Sequence, residues 1–169
     1  MIISIRLGIG QNYFRESECS SCFRGKIYKT DEMIKQFEIT LPAHRRGYHL
    51  ITSEIEKRLP SLISNGLANF FIEHTSAALT INENADPDVR VDFESFINKL
   101  IPDGDKVFKH LIEGPDDMSA HLKSSLLGAS LTIPIVNGKL KLGTWQGIYL
   151  CEFRNRATAR KIFVTLMGD

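Results

Sequence analysis

Two imidazoles and three carboxylates crowd into the stretch His110, Glu113, Asp116, Asp117 and His121. Three nitrogen or oxygen donors from such a set can hold a divalent ion and leave a position open for water or phosphate. The plainer reading is that Asp117 caps a helix, Gly114-Pro115 makes a turn and the other carboxylates face solvent. His74 is a second point of interest, because alternation along a strand puts Ala68, Phe70, Ile72 and His74 on one face, so an imidazole ends an apolar row. It reads either as a strand-end histidine bonded to backbone or as a ligand or acid–base group. Thr75 and Ser76 offer hydroxyls at the same strand exit, to a substrate or to their own turn.

Three further places invite chemistry. Glu152 sits in Gly147–Phe153, a strand with apolar residues on both faces. A carboxylate there must bond an arginine, such as Arg154 or Arg160, or point into a polar pocket. Thr144, Trp145 and Gln146 are bracketed by Gly143 and Gly147, which exposes backbone N–H groups and frees the indole to stack on a planar ligand or simply to pack. Asn82 and Glu83 close another strand, and Arg45-Arg46 stands at an element junction where a phosphate could bind; both also read as solvated surface.

The elements that must carry these residues follow from periodicity and punctuation. Phe37 to Leu41 alternates as a strand that Pro42 ends. Leu50, Ile51, Ile55 and Leu59 have helical spacing, which predicts a helix over His49–Leu59 stopped by Pro60. Leu67–Ile72 and Ala78–Glu83 read as strands. Val89, Phe93, Phe96, Ile97 and Leu100 form a helical stripe after Pro87, expected to be core. A helix over Met118–Leu127 is expected, with Asp117 as N-cap and Gly128 as stop. Strands follow at Leu131–Val136, Lys139–Leu142, Gly147–Phe153 and Arg160–Met167, the first two joined by Asn137-Gly138, a two-residue hairpin turn. Strands and helices that interleave early and strands that cluster late predict an α+β domain over 36–169 rather than a parallel doubly wound sheet. Residues 1–35 read as an N-terminal extension, partly irregular, with a short strand over Ile2–Gly8.

Composition narrows the function classes. The 169 residues are 43% hydrophobic and 24% charged, enough to bury one core. A formal charge of +1 gives no field for steering to nucleic acid or an anionic membrane, and no apolar run reaches a membrane span, so neither partner is expected and the cytoplasm is the expected compartment. Cys19, Cys22 and Cys151 are an odd number and read as reduced thiols; Cys19 and Cys22 alone are half a zinc or redox motif.

The strings His74-Thr75-Ser76-Ala77, Leu79 to Pro87, Glu113-Gly114-Pro115-Asp116-Asp117-Met118 and Gly143-Thr144-Trp145-Gln146-Gly147 together resemble the YjbQ-like family, collinearly from about Gln36 to Asp169. The resemblance implies a mostly antiparallel α+β fold with three main helices, a homotrimer, and a thiamine-phosphate synthase activity that is a side reaction in the family. In that reaction a pyrimidine pyrophosphate condenses with a thiazole phosphate and releases pyrophosphate. Carried over by position, the family's polar cluster falls on His74, Asn82, Glu83, Asp92, His110, Glu113, Asp117, His121 and Glu152. Two departures stand out: Phe153 where members commonly have histidine, and Ser119 where proline is usual, the latter expected to touch only the first helical turn.

The implied condensation needs a leaving dianion stabilised, by magnesium on Glu113, Asp116 and Asp117 or by Arg45 or Arg154, with Trp145 stacking on the pyrimidine. A metal-dependent hydrolase or phosphatase is the alternative, with His74, His110, His121 and Asp117 around zinc or a similar ion and Glu113 activating water. A third reading is a non-catalytic trimer that binds a phosphorylated or heteroaromatic metabolite. In all three, Thr75, Ser76, Asn82, Glu83, Asp92, Thr144, Trp145, Gln146 and Arg154 are the expected substrate contacts.

Overall fold

The structure is a computed structural model that describes residues 33–169. The strand expected over Ile2–Gly8 and the Cys19/Cys22 pair lie outside the described residues. Eight strands and three helices follow in the order β1 (Met33–Leu41), β2 (Gly47–Leu50), α1 (Thr52–Glu56), β3 (Asn65–Ile72), β4 (Ala77–Glu83), α2 (Asp88–Leu100), α3 (Asp117–Leu127), β5 (Ser130–Val136), β6 (Lys139–Leu140), β7 (Gln146–Glu152) and β8 (Arg160–Gly168). They make two antiparallel sheets, a five-stranded one in the order β1-β8-β3-β5-β6 and a three-stranded one in the order β2-β7-β4.

Strand periodicity explains how these layers close. Successive side chains point to opposite faces, so β7 sends Ile148 and Leu150 toward the large sheet and Tyr149 and Cys151 toward the helices. The first pair joins Ala68, Phe70, Ile72, Ile133, Ile162 and Val164 in the main core. The second joins Ala78, Ala120 and Phe153 in a smaller cluster under α3. The domain is therefore a sheet-on-sheet sandwich with helices on the outer face of the smaller sheet. Both faces of β7 are buried, as the sequence implied. Burial also pushes the Cys151 thiol far above its ordinary range, which makes it an inert packing residue.

Where two strands cross most closely only glycine fits. A Cβ on Gly66 would lie 2.1 Å from the Met167 carbonyl, and one on Gly168 would lie 2.0 Å from that of Asn65. The hairpin turn is as expected, with Asn137 and Gly138 both at positive φ, 51° and 69°.

Several expected elements change. His49 and Leu50 lie in β2, paired with Leu150 and Tyr149, so the helix over His49–Leu59 shrinks to the five residues of α1. The pairing satisfies backbone groups that helical spacing alone could not reveal. β1 begins at Met33 and takes in three residues assigned to the extension. β6 stops at Leu140 rather than Leu142. The α2 stripe is not all core: Ile97 is buried, but Phe96 and Leu100 are exposed because the helix meets β2 along a narrow line. Among the described residues no helix is long and apolar enough to cross a membrane.

Candidate functional site

The end of the sandwich where β7 finishes and β8 begins is polar, and register explains it. Glu152 continues the inward row of Ile148 and Leu150, while Arg160 opens the inward row of Ile162 and Val164. They meet in a bidentate pair, Arg160 Nε and Nη2 each donating at 2.7 Å to the two Glu152 oxygens, with Glu152 fully buried. Glu152 Oε1 also accepts the Arg154 backbone N–H at 2.9 Å. Both arginines named from the sequence thus serve it. His74 extends the inward row of β3, and its Nε2 accepts the Lys161 N–H at 2.8 Å. The ring proton therefore sits on Nδ1, and the 3.3 Å approach of Arg160 Nη1 is a contact between donors. Burial, seconded by the Arg160 charge, pushes His74 below its ordinary value, so it stays neutral. With one nitrogen bonded and the other protonated, His74 offers no lone pair to a cation.

A second cluster adjoins this plug. α3 opens at Asp117, and Asp116 rather than Asp117 takes the N-cap position, with no side-chain cap bond. The Asp117 carboxylate turns inward instead, almost fully buried. His110, arriving on the loop before α3, brings Nε2 to 2.8 Å from Asp117 Oδ2, and His121, one turn along the helix, brings Nε2 to 3.2 Å from the same oxygen. Asp117 Oδ1 contacts Arg154 Nη1, and Arg154 Nε lies 3.2 Å from Asp116 Oδ2. Arg154 Nη2 donates to the Glu113 carbonyl at 2.8 Å, so Glu113 acts here through its backbone while its side chain is exposed.

His121 is oriented from behind. Its Nδ1 lies 3.0 Å from the Thr75 carbonyl, which also accepts Ser124 Oγ at 2.5 Å. A carbonyl can only accept, so Nδ1 carries the proton and Nε2 of the neutral ring presents a lone pair to a carboxylate oxygen. Two acceptors 3.2 Å apart are unfavourable unless a proton or a cation lies between them. His110, Asp117 and His121 place their donor atoms within 4.8 Å of one another. The two separations from Asp117, 2.8 and 3.2 Å, approach the edge of about 3.3 Å that a tetrahedron with ~2.0 Å bonds requires, and the two imidazole donors lie within 4.8 Å of each other.

Open space flanks the cluster. A hollow of about 780 Å³ next to His121 is lined by Phe71, Glu73, His74, Thr75 and Ser125, and one of about 410 Å³ by Glu113, Asp116, Arg154 and Arg156. His74 and Ser76 adjoin the centre, Ser76 Oγ lying 3.4 Å from Arg160 Nη2.

Other expected site residues lie elsewhere. Antiparallel pairing of Ala77 with Glu152 and of Glu83 with Gln146 puts Asn82, Glu83, Thr144, Trp145 and Gln146 at the opposite end of the small sheet. Six residue steps make that about 20 Å. Asn82 Oδ1 accepts the Glu83 N–H, Gln146 Oε1 accepts the Gly143 N–H, and the Trp145 carbonyl accepts the Asn84 N–H. The first two are local turn bonds, and the third continues the pairing of β4 with β7. Asp92 is exposed on α2. Within one chain, then, the Trp145 loop does not join the histidine cluster, and Phe153 faces away from it, packed in the smaller core.

Sequence reasoning missed a network behind α3. Lys123 is fully buried, with Nζ donating to Asn98 Oδ1 at 2.8 Å and lying 3.4 Å from Asp103 Oδ1. Arg46 contacts Asp103 and donates to Asn98 at 2.8 Å. Ser119 Oγ also bonds Asp103, so the serine in place of proline ties the helix to a distant loop, beyond the first turn where its effect was expected. Lys123 lies one turn after Ala120 on the inward side of α3, a polar residue at core spacing that could have been noticed. Burial by itself would raise the Asp103 carboxyl, but hydrogen bonds from Arg46 and Ser119 and the Arg46 and Lys123 charges hold it down at about 2, from 3.8. A carboxyl depressed on folding stabilises above its unfolded value and loses that contribution as pH falls through its folded value. Asp103→Asn is therefore expected to flatten the dependence of stability on pH between about 4 and 2, measured by urea unfolding across that range. An unchanged slope would show that the network does not hold this charge.

The comparisons agree with the fold. Residues 36–169 match the model of the family described as UPF0047 protein YjbQ-like. YjbQ of Salmonella typhimurium is 49% identical over 136 residues, covering 79% of this chain and 98% of the relative. YugU of Bacillus subtilis is 44% identical over 119 residues, covering 70% and 87%. Among solved structures, a protein of unknown function from Sulfolobus solfataricus superposes with a TM-score of 0.70 at 28% identity, covering 82% of this chain and 99% of that one. A Clostridium acetobutylicum protein of the yjbq/upf0047 family gives 0.67 at 45% identity, covering 76% and 97%. The chain belongs to the UPF0047, or YjbQ-like, family.

Proposed function

We propose that His110, Asp117 and His121 hold a divalent metal ion and that the centre carries out metal-dependent hydrolysis of a small phosphorylated molecule. The observation that carries this is the convergence of three donor atoms with His121 Nδ1 already committed to the Thr75 carbonyl. A second-shell acceptor of that kind is the usual way a ligating imidazole is held in one tautomer. Two nitrogens and one oxygen suit zinc or a neighbouring transition ion better than magnesium, which prefers oxygen ligands. Three protein ligands leave room for a further one, the pattern of catalytic rather than structural sites. Such an ion would supply Lewis acidity and a water of lowered pKa.

The chain's own residues would do the rest. Arg154, held between Asp116, Asp117 and the Glu113 carbonyl, stands where a phosphoryl group entering the adjoining hollow would need a cation. Thr75 and Ser124 fix His121. Glu152 and Arg160 close the core beneath. The thiamine-phosphate synthase-type condensation implied by the resemblance would use the same cation and arginine on a pyrophosphate leaving group. It draws less support, because the Trp145 ring proposed to stack on a pyrimidine is at the other end of the sheet. Exposed Phe96 and Leu100 on α2 and Leu122 and Leu126 on α3 support self-association, for which the resemblance implies a homotrimer.

Elemental analysis of the purified protein, followed by phosphatase assays with and without a chelator, tests the proposal. Near-stoichiometric zinc, manganese or iron and a chelator-sensitive release of phosphate from p-nitrophenyl phosphate are expected. Activity that survives complete metal removal would overturn it. Pyrophosphate release only when pyrimidine pyrophosphate and thiazole phosphate are both present would favour the condensation.

A further inference from the structure

A further hollow lies away from the histidine cluster. It is a cleft of about 810 Å³ between the loop His44–Arg46, the edge strand β2 and the first turns of α2. It shares no lining residue with the two hollows that flank Asp117. Its volume falls within the roughly 300 to 1,000 Å³ of small-molecule sites.

Its walls explain its charge. The Tyr48 ring packs against Phe93 at 5.5 Å and thereby holds α2 over β2. This brings Arg90, one turn into α2, to the same cleft as Arg45 and Arg46. Arg46 is committed to Asp103 and Asn98. Arg45 and Arg90 form no ion pair among the described residues, and Glu94 is the one carboxylate on the lining. Two arginines lining one space, neither of them ion-paired, leave positive charge that an anion in that space would offset.

Two residues of the cleft wall, His44 and Tyr48, also carry enclosed polar atoms without a hydrogen-bond partner. His44 Nε2 and Glu54 Oε2 face each other at 3.7 Å, and neither has a hydrogen-bond partner. The Tyr48 hydroxyl is likewise buried without a partner. His49 Nε2 donates to the Arg45 carbonyl at 2.6 Å, which fixes the loop that carries the arginine. Leu50 and Val91, both exposed, give the cleft an apolar side.

We propose that this cleft is a second ligand site, separate from the His110–Asp117–His121 centre, that takes a small organic phosphate. The phosphoryl group lies between Arg45 and Arg90, and the apolar body lies against Leu50 and Val91. The site does not depend on the metal, and it stands whether or not the hydrolytic reading of the other centre does.

Calorimetric titration of the full chain with phenyl phosphate in the presence of a chelator tests it, with inorganic phosphate as the comparison. Saturable binding, tighter for phenyl phosphate than for phosphate, is expected. Arg45→Ala and Arg90→Ala should each weaken it at least tenfold, while Asp117→Asn leaves it unchanged. Both arginines lie at the surface of the cleft, so circular dichroism should confirm that these variants fold. Absence of saturable binding would overturn the proposal. So would a loss of affinity in Asp117→Asn with none in the two arginine variants, because the ligand would then be at the metal centre. Equal affinity for both probes would remove the apolar side and with it the organic ligand.

Discussion

Asp117→Asn is expected to weaken divalent-metal binding by at least about 100-fold, since even second-shell changes cost 10- to 100-fold and this carboxylate is the shared ligand. The substitution keeps the shape of the side chain and one oxygen toward Arg154, so the helix start is preserved. What it removes is the negative charge that two imidazole nitrogens approach at 2.8 and 3.2 Å. His110→Ala and His121→Ala should fall in the same range. His74→Ala should not, because neither of its ring nitrogens is free. Competition with a chromogenic chelator measures all four. A His74 variant that loses metal as completely as the Asp117 variant would mean that the plug rearranges to ligate, and an Asp117 variant with native affinity would remove the centre altogether.

The contrast between His74 and His121 shows what the sequence could and could not reveal. Alternation placed His74 at the end of a buried row, and the structure keeps it there. Alternation says nothing of what meets the ring, and the answer is a backbone N–H from β8, 87 residues away. The crowding of His110, Asp117 and His121 was visible as composition, and a helical turn between the last two was enough to bring them together. Asp117 was mistaken for a cap because capping residues and ligands are the same residue types. The strand β2 was hidden because its last residue, Leu50, shares helical spacing with Ile51, Ile55 and Leu59, and only the pairing of Gly47–Leu50 with β7 makes those four residues extended.

Within one chain the Trp145 loop stands apart from the histidines for a different reason. The resemblance joined it to the histidines because both strings belong to one family, but shared motifs carry no distances. Antiparallel pairing of β4 with β7 does, and it sets the two strings at opposite ends. The Lys123–Asp103–Arg46 network escaped for a related reason: its members come from α3, the loop after α2 and the approach to β2, which no local pattern connects.

The buried pair Glu152–Arg160 is expected to give the largest change in stability. Arg160→Met keeps much of the side-chain volume but leaves Glu152, which is fully buried, with its charge met only by the Arg154 backbone N–H. Breaking a buried pair from one side costs about 3–5 kcal/mol, because an uncompensated charge remains. Replacing both partners removes the charge and its desolvation together, so Glu152→Met with Arg160→Met should recover most of that loss. Urea unfolding of the two single variants and the double measures the coupling directly. The result bears on function as well as folding, since the same carboxylate anchors the backbone from which Arg154 reaches Asp117. If the double variant regains stability but not metal affinity, the pair serves to position Arg154 at the centre. Recovery of both would show that it only fills the end of the sandwich.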